Sequence, residues 1–332
     1  MNRTRIITAA ALALTAAGLL FAGPLNPPAG PVTSTYKTLT EVEPRIAINA
    51  TNTPGDADSL FKITQRGSYY LTGNITGVVG RHGIEIAASG VTLDLMGFDL
   101  SGIPAMGAFD GVSATVNGLT NNTIRNGSVR GWGDEGVDLG TNFANNSAVI
   151  DVRASSNAGN GIFTGSGSTI TGCTAYDNTG NGILTSFGST ITGCTAYNNT
   201  GNGISTSSGC TISNCTARRN TLDGIRVMSD CLVLANACSF NGNGGDGAGI
   251  HATGSDNRIE GNNCTSNDRG IDVDVAGNII IKNTCSGNTS NWEIAIGNVC
   301  LVILATPTTV AISGDSGGLS PGSTNPNANF TY

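Results

Sequence analysis

The chain has 332 residues, enough for one large domain or two ordinary ones. It is rich in glycine (48 residues) and poor in charged (12%) and aromatic (5%) residues, while 39% of its residues are hydrophobic. The formal net charge of −7 argues against nucleic-acid binding, because no basic patch is available for phosphate contacts.

The N-terminus has the form of an export signal. Two arginines precede an uncharged apolar run over residues 6–22, and a Gly-Pro step follows. We therefore predict a signal peptide over residues 1–23 and a protein that is secreted, periplasmic or on the cell surface. The apolar run is also just long enough to span a bilayer, so an uncleaved anchor is the alternative. With the signal removed, we expect no contact with a membrane.

Residues 158–241 contain four consecutive blocks of 21 residues, of which TGNGILTSFGSTITGCTAYNN (179–199) is typical. Each block alternates apolar and polar residues over short stretches separated by Gly, Ser, Asn and Asp, a pattern that predicts short strands joined by turns. A period of this length is typical of stacked supersecondary units. The Gly-Ile or Gly-Val step that begins each unit recurs at Ile84, Val112, Val137, Ile162, Ile183, Ile204, Ile225, Ile250 and Ile271, with a degenerate copy near Ile294.

These units predict an all-β fold, a right-handed single-stranded parallel β-helix (a solenoid) of about ten coils. We place the β-helix at residues 60–302, a linker and N-terminal cap at 24–59, and a C-terminal cap or tail at 303–332. Capping segments are expected because an open end of a solenoid exposes unpaired strand edges.

Aligned coils give vertical columns of equivalent residues. One column is Val or Ile throughout, which predicts an interior position, and another is Asn from Asn157 to Asn288, which predicts a ladder of turn hydrogen bonds. The nine cysteines fall into short columns as well. Neighbours in register on parallel strands are too far apart for an easy disulfide, so we expect mostly free, buried thiols.

The stretches PGDADSLFKITQRGSYYLTGNITG (54–77), GIEIAASGVTLDLMGFDLSG (83–102) and NPNANFTY (325–332), together with the repeated Gly-Ile and Thr-Ile steps, resemble the right-handed parallel β-helix (pectate lyase-like) superfamily. Within it they are similar to a group of secreted bacterial repeat proteins of planctomycete type. The resemblance implies the fold, whereas the superfamily includes lyases, hydrolases, epimerases and non-enzymes. The catalytic signatures of polygalacturonases and alginate epimerases are missing from this sequence, so no catalytic residue carries over.

The residue after each Gly-Ile step is expected to point outward on the first sheet. This column is bland over most of its length, but it becomes Arg226, His251 and Asp272 on three consecutive coils. We take these three as candidate catalytic residues. Asp223 and Arg269, in the preceding corners, are candidate substrate-binding residues.

The cluster suits an acidic polysaccharide. β-Elimination needs a base near the carbon next to the carboxylate and a cation to stabilise the enolate. Arg226 or His251 is the candidate base, and Asp272 with Asp274 is a candidate calcium site. A hydrolase would instead need two carboxylates, for which Asp223, Asp272 and Asp274 are the local candidates. An ordinary solvated face with cross-strand charge pairs is the alternative interpretation.

Tyr176 and Tyr197 stack on adjacent coils and are further candidates for substrate binding, since aromatic rings can face sugars; stacked tyrosines also simply stabilise sheets. The leading hypothesis is a secreted protein that interacts with polysaccharide, either a polysaccharide lyase or a glycoside hydrolase. The alternative is a non-catalytic surface or adhesion scaffold, favoured by the even, mostly uncharged column from Ser113 to Ser205. Whether the protein is an enzyme stays open at this point.

Overall fold

The computed structural model describes residues 43–300, 302–304 and 326–331, and a compact unit begins at Arg45. The predicted signal peptide, the linker up to residue 42 and residues 305–325 of the predicted tail lie outside the described residues. In the described part of the chain, no helix is long and apolar enough to cross a membrane.

The strands of the described residues form two sheets, and every strand pairs with its neighbours in parallel. The first sheet has eleven strands: Ser59–Ile63, His82–Ile86, Val112–Ala114, Val137–Leu139, Ile162–Thr164, Ile183–Thr185, Ile204–Thr206, Ile225–Val227, Ala248–Ala252, Arg269–Val273 and Ser290–Ile294. The second sheet has 22 strands: Ile46–Ala47, Gly67–Tyr70, Ile75–Thr76, Val91–Asp94, Asp99–Ser101, Thr123–Arg130, Ala148–Ser155, Thr169–Thr171, Thr174–Tyr176, Thr190–Thr192, Thr195–Tyr197, Thr211–Ser213, Thr216–Arg218, Leu232–Leu234, Ala237–Ser239, Arg258–Glu260, Asn263–Thr265, Ile279–Ile281, Thr284–Ser286, Val299–Cys300, Val302–Leu304 and Asn329–Thr331.

Each regular coil therefore contributes one strand to the first sheet and two to the second. The two columns of the second sheet are joined where the strands Thr123–Arg130 and Ala148–Ser155, each eight residues long, run through both of them. The prediction of an all-β parallel solenoid is confirmed. The described stack has about 12 turns, slightly more than the ten or so predicted from the Gly-Ile steps.

The interior columns lie in the register that the repeat predicts. Ile170 pairs with Ile191 and Ile191 with Ile212, and all three side chains are fully buried. Burial of each such side chain stabilises the fold by about 1.5–3 kcal/mol relative to exposure. The continuous apolar column explains why the same Thr-Ile-Thr step recurs in coil after coil.

The asparagine column is a hydrogen-bonded ladder inside the solenoid. Its members are Asn157, Asn178, Asn199, Asn220, Asn241, Asn267 and Asn288. The Asn199 side-chain amide donates to Oδ1 of Asn220 at 2.9 Å and to the carbonyl of Ala175 at 3.1 Å. Its own Oδ1 accepts from the backbone N–H of Asn178 at 3.1 Å and from the Asn178 side-chain amide at 2.9 Å. Every polar atom of the side chain is satisfied, which is what burial of an amide requires.

The glycine before each isoleucine makes room for this Asn ladder. A Cβ atom at Gly182 would lie 2.6 Å from the carbonyl oxygen of Gly203 and 2.7 Å from Nδ2 of Asn199. The next coil therefore passes too closely for any side chain at this corner. The recurring Gly-Ile step is thus explained by the close approach of consecutive coils.

A second corner, between the two strands of the second sheet, is turned by a single left-handed residue. Its φ angle is 62° at Gly193 and 55° at the equivalent Asn214. Glycine and asparagine adopt this conformation more readily than other residues, which explains the Thr-Gly-Cys and Ser-Asn-Cys steps.

All nine cysteines are free, and eight of them are buried, as expected from their columns.

Near the ends the chain departs from the regular repeat. The strand Ile46–Ala47, which lies within the predicted N-terminal cap, pairs with residues 69–70 of the predicted β-helix. The strand Asn329–Thr331 pairs with both Thr284–Ser286 and Val302–Leu304. Part of the segment predicted as a C-terminal cap or tail therefore continues the second sheet.

Candidate functional site

The three candidate catalytic residues lie side by side on the first sheet. Arg226 is in register with His251, and His251 is in register with Asp272, as the repeat alignment predicts. Nδ1 of His251 lies 3.0 Å from Oδ2 of Asp223. Its Nε2 lies 3.2 Å from Oδ2 of Asp274 and 3.8 Å from Oδ2 of Asp272. The imidazole is therefore enclosed by carboxylates on both sides.

Asp223 is placed by a run of turn hydrogen bonds on the outside of the solenoid. In the preceding coils this position is asparagine, and the backbone N–H of each residue donates to the side chain before it, ending with Asp223 N to Oδ1 of Asn202 at 3.0 Å. Asp223 continues the run by accepting from the backbone N–H of Ala248 at 2.8 Å. The change from asparagine to aspartate leaves its second oxygen to face His251.

Electrostatics give His251 a positive charge at neutral pH. Burial opposes the charged imidazolium, but the hydrogen bond to Asp223 and the charges of Asp272 and Asp274 outweigh it and raise the pKa of His251 to about 9. Burial also raises the pKa of Asp272, against the opposing effect of Arg269 and His251. Well below pH 9 the His251 side chain is thus mainly a proton donor, and the neutral fraction that can act as a base grows as the pH approaches 9.

Arg269 is engaged by three carboxylates. It pairs with Asp272 at 2.5 Å and with Glu293 at 2.8 Å, and it also contacts Asp246 in the long insertion of the preceding coil. These contacts tie the insertion over residues 242–249 and the strand Ser290–Ile294 to the site. Arg269 therefore supports the site through its existing partners.

Arg226 differs from Arg269 because its guanidinium has no hydrogen bond or ion pair to any described residue. It lines an open groove of about 630 Å³, together with Leu222, Asp223, Asp246 and His251. A guanidinium without a protein partner, beside a charged imidazole, is available to bind an anionic group of a ligand.

The side chains around His251 include the two carboxylates of the predicted calcium site. Side-chain ligand atoms of His251, Asp272 and Asp274 lie within 4.8 Å of one another. Calcium takes about 6–8 oxygen ligands, whereas this group offers a nitrogen and two carboxylates beside the cationic Arg269. These residues fit calcium poorly, and a calcium site at Asp272 and Asp274 stays a prediction.

Comparison with known proteins agrees with this architecture. Residues 63–211 and 188–314 match the family described as a right handed beta helix region. The chain belongs to this right-handed β-helix family. The predicted handedness and superfamily are confirmed, while the bacterial group within it stays a prediction.

Several solved structures are similar to this β-helix. The A-module of mannuronan C-5 epimerase AlgE6 from Azotobacter vinelandii is 15% identical with a TM-score of 0.53, covering 77% of this chain and 86% of the module. The Agl-KA catalytic domain is 13% identical with a TM-score of 0.53, covering 86% of this chain and 57% of that one. A tailspike protein of E. coli bacteriophage HK620 is 12% identical with a TM-score of 0.50, covering 84% and 63%. At such low identities the similarity shows the fold alone. No curated protein matches the sequence.

The two tyrosines lie on a different face of the β-helix from this groove. Tyr176 and Tyr197 are paired in the second sheet, whereas His251 lies on the first sheet. Tyr197 accepts a hydrogen bond from Arg219 at 3.2 Å. The structure therefore separates the predicted aromatic contacts from the predicted catalytic cluster, and the tyrosines stay a prediction for a separate surface.

Sequence reasoning missed acidic residues over the N-terminal coils of the first sheet. Carboxylate oxygens of Asp110, Asp134 and Glu135 lie within 4.8 Å of one another. Burial, together with Asp134, raises the pKa of Glu135 to about 8. The signal was available in the sequence, because Asp110 and Glu135 occupy the position just before the Gly-Val step.

Proposed function

We propose that this protein binds an acidic polysaccharide along its first sheet, with the groove at Arg226 holding a uronate carboxylate. The observation that carries the proposal is the unpaired guanidinium of Arg226 in the groove beside His251. The first sheet runs through eleven parallel strands, so it offers a long surface to an extended polymer. The similar epimerase module is named for mannuronan, a polysaccharide, which agrees with this ligand class.

The reaction that this geometry favours is β-elimination. With the uronate carboxylate paired to Arg226, the proton on the adjacent carbon becomes more acidic because the developing enolate is stabilised. Neutral His251 takes that proton, and the electron pair it leaves behind forms a double bond in the sugar as the bond to the leaving oxygen breaks. The leaving oxygen keeps the bonding electrons and takes up a proton from the imidazolium of His251 or from water. Because the pKa of His251 is about 9, the rate is expected to rise with pH towards that value.

The location follows from the same proposal. The apolar N-terminal run is of the kind that directs export, and acidic polysaccharides of cell walls and matrices lie outside the cytoplasm. We propose that the protein works after secretion, in the periplasm or at the cell surface.

The test is to incubate the purified protein with several polyuronates, and with a neutral glucan as control, with calcium and with chelator. Ultraviolet absorbance reports unsaturated chain ends. We expect absorbance from at least one polyuronate and a loss of 100-fold or more in Arg226→Gln, as for removal of a group that stabilises transition-state charge, about 10²–10³-fold. The matched control is Arg258→Gln, which removes the same charge from the second sheet, where Arg258 pairs with Glu260.

Other outcomes would redirect the proposal. Reducing ends without absorbance would indicate a hydrolase that uses carboxylates around His251. Neither product, with no retention of the protein on any polyuronate, would favour the non-catalytic scaffold.

A further inference from the structure

A third acidic group lies where the chain enters the first sheet. Oxygen atoms of Asp56, Asp58 and Glu85 lie within 4.8 Å of one another. The two aspartates belong to the segment that precedes the strand Ser59–Ile63, and Glu85 lies on the next strand of the sheet, His82–Ile86. None of these residues takes part in the groove at Arg226.

One oxygen of Glu85 is buried without a partner. The residue is only 3% exposed, and its Oε1 pairs with Lys62 at 2.7 Å and accepts a hydrogen bond from the Thr115 hydroxyl. Its Oε2 has no hydrogen-bond partner among the described residues. A buried carboxylate oxygen without a partner is strongly unfavourable, which points to a ligand that completes it.

The negative charges around Glu85 are also not fully balanced by cationic side chains. Asp56 already accepts from Ser59 and pairs with Lys62 at 2.7 Å. Asp58 adds a third carboxylate, whose oxygen lies within 4.8 Å of those of Asp56 and Glu85. Three carboxylates share the one ammonium of Lys62, so negative charge remains in excess at this group.

We propose that Asp56, Asp58 and Glu85 form a calcium site that fastens the N-terminal lead-in segment to the first sheet. All the donors are oxygen atoms, and two of the carboxylates lie on an irregular segment, which suits the flexible coordination of calcium better than the strict octahedron of magnesium. Asp58 and Glu85 supply ligands to the cation, while Lys62, whose side chain is 28% exposed, competes for Asp56 and Glu85. Bound calcium thereby stabilises the first coils against local unfolding.

The test uses the full chain, first stripped with chelator. Calorimetric titration with calcium chloride gives the affinity, and thermal unfolding gives the midpoint, with magnesium chloride and sodium chloride at equal ionic strength as controls. We expect a dissociation constant of about 10⁻⁴–10⁻³ M, as for extracellular calcium modules. At about ten times that concentration the unfolding midpoint should rise by about 3 °C.

Variants locate the site. Asp58→Asn should weaken calcium binding at least tenfold, whereas Asp134→Asn and Asp274→Asn, in the other two acidic groups, should leave it unchanged. Lys62→Gln should tighten binding, because it removes the competing ammonium; a residue that only held a salt bridge would show no such gain. The proposal is overturned if calcium does not shift the midpoint of the unaltered chain, or if Asp58→Asn keeps the full shift.

Discussion

His251 shows how one residue is tuned by the coils on either side of it. Its charged form is opposed by burial and favoured by Asp223 and Asp274, which lie 3.0 and 3.2 Å from the two ring nitrogens. The result is a pKa of about 9, well above the ordinary value of about 6.5. A group whose pKa is raised by folding adds stability that is complete below the unfolded pKa and is lost as the pH rises through the folded one.

We therefore expect the ring protons of His251 to titrate near pH 9 in an NMR pH series. In Asp223→Asn the pKa of His251 should fall by at least one unit, because burial, which disfavours the charged imidazole, is then opposed by one carboxylate fewer. The chain has only two histidines, so His82→Gln assigns the signals by loss of one of them. The stability of the unaltered chain should also decline between about pH 6.5 and 9, and that of His251→Gln should decline less.

A titration near pH 6.5 that is insensitive to Asp223→Asn would contradict this account of the site. It would also remove the reason for expecting an alkaline rise in the rate of elimination.

At the scale of the structural element, the Asn ladder holds consecutive coils together. Asn199 is about 1% exposed and makes two donor and two acceptor contacts with its neighbours in the ladder and the backbone. In Asn199→Ala, the backbone N–H of Asn178 and the carbonyl of Ala175 would stay buried without these partners. Such a loss costs about 1–3 kcal/mol for each group left unsatisfied.

We accordingly expect Asn199→Ala to lower the free energy of unfolding by about 3 kcal/mol, measured by denaturant titration. The neighbouring Thr200→Ala is the matched control, because Thr200 is exposed and should change the stability by less than about 0.5 kcal/mol. Equal effects of the two substitutions would show that the ladder adds nothing beyond the backbone pairing.

The scale of the element also shows what sequence can predict. The register of Ile170 with Ile191, and of Arg226 with His251, followed from the repeat because coils of similar length stack in only one way that keeps the apolar column inside. Two of the three carboxylate partners of Arg269 did not follow, since Asp246 lies in an insertion and Glu293 in a degenerate coil. The repeat period predicts which residues are stacked in register, but it does not predict the contacts of residues in insertions or irregular coils.

The same limit holds for the whole molecule. Asp58 approaches Glu85 because the segment just before the strand Ser59–Ile63 lies against the first sheet, and no repeat unit encodes this segment. Likewise, the C-terminal strand joins the second sheet across a separation of 46 residues between Asn283 and Asn329. The middle of the solenoid was therefore predictable from local periodicity, and its two ends were not.

The last strand is expected to be essential for closing the solenoid. Oδ1 of Asn329 accepts from the backbone N–H of Asn283 at 2.9 Å and from its side-chain amide at 3.0 Å, and Nδ2 of Asn329 donates to the carbonyl of Ile280 at 2.7 Å. Asn329→Ala should leave these buried groups unpaired and lower the free energy of unfolding by about 2–3 kcal/mol. Phe330→Ser on the same strand is the control, since its side chain is 42% exposed and its loss should change stability little. Hydrogen exchange supplies the decisive reading: in Asn329→Ala the amides of Thr284–Ser286 should exchange faster while those of Thr190–Thr192 stay protected, because unfolding of a solenoid begins at its end. Uniform acceleration along the whole stack would instead mean that the coils unfold as one cooperative unit.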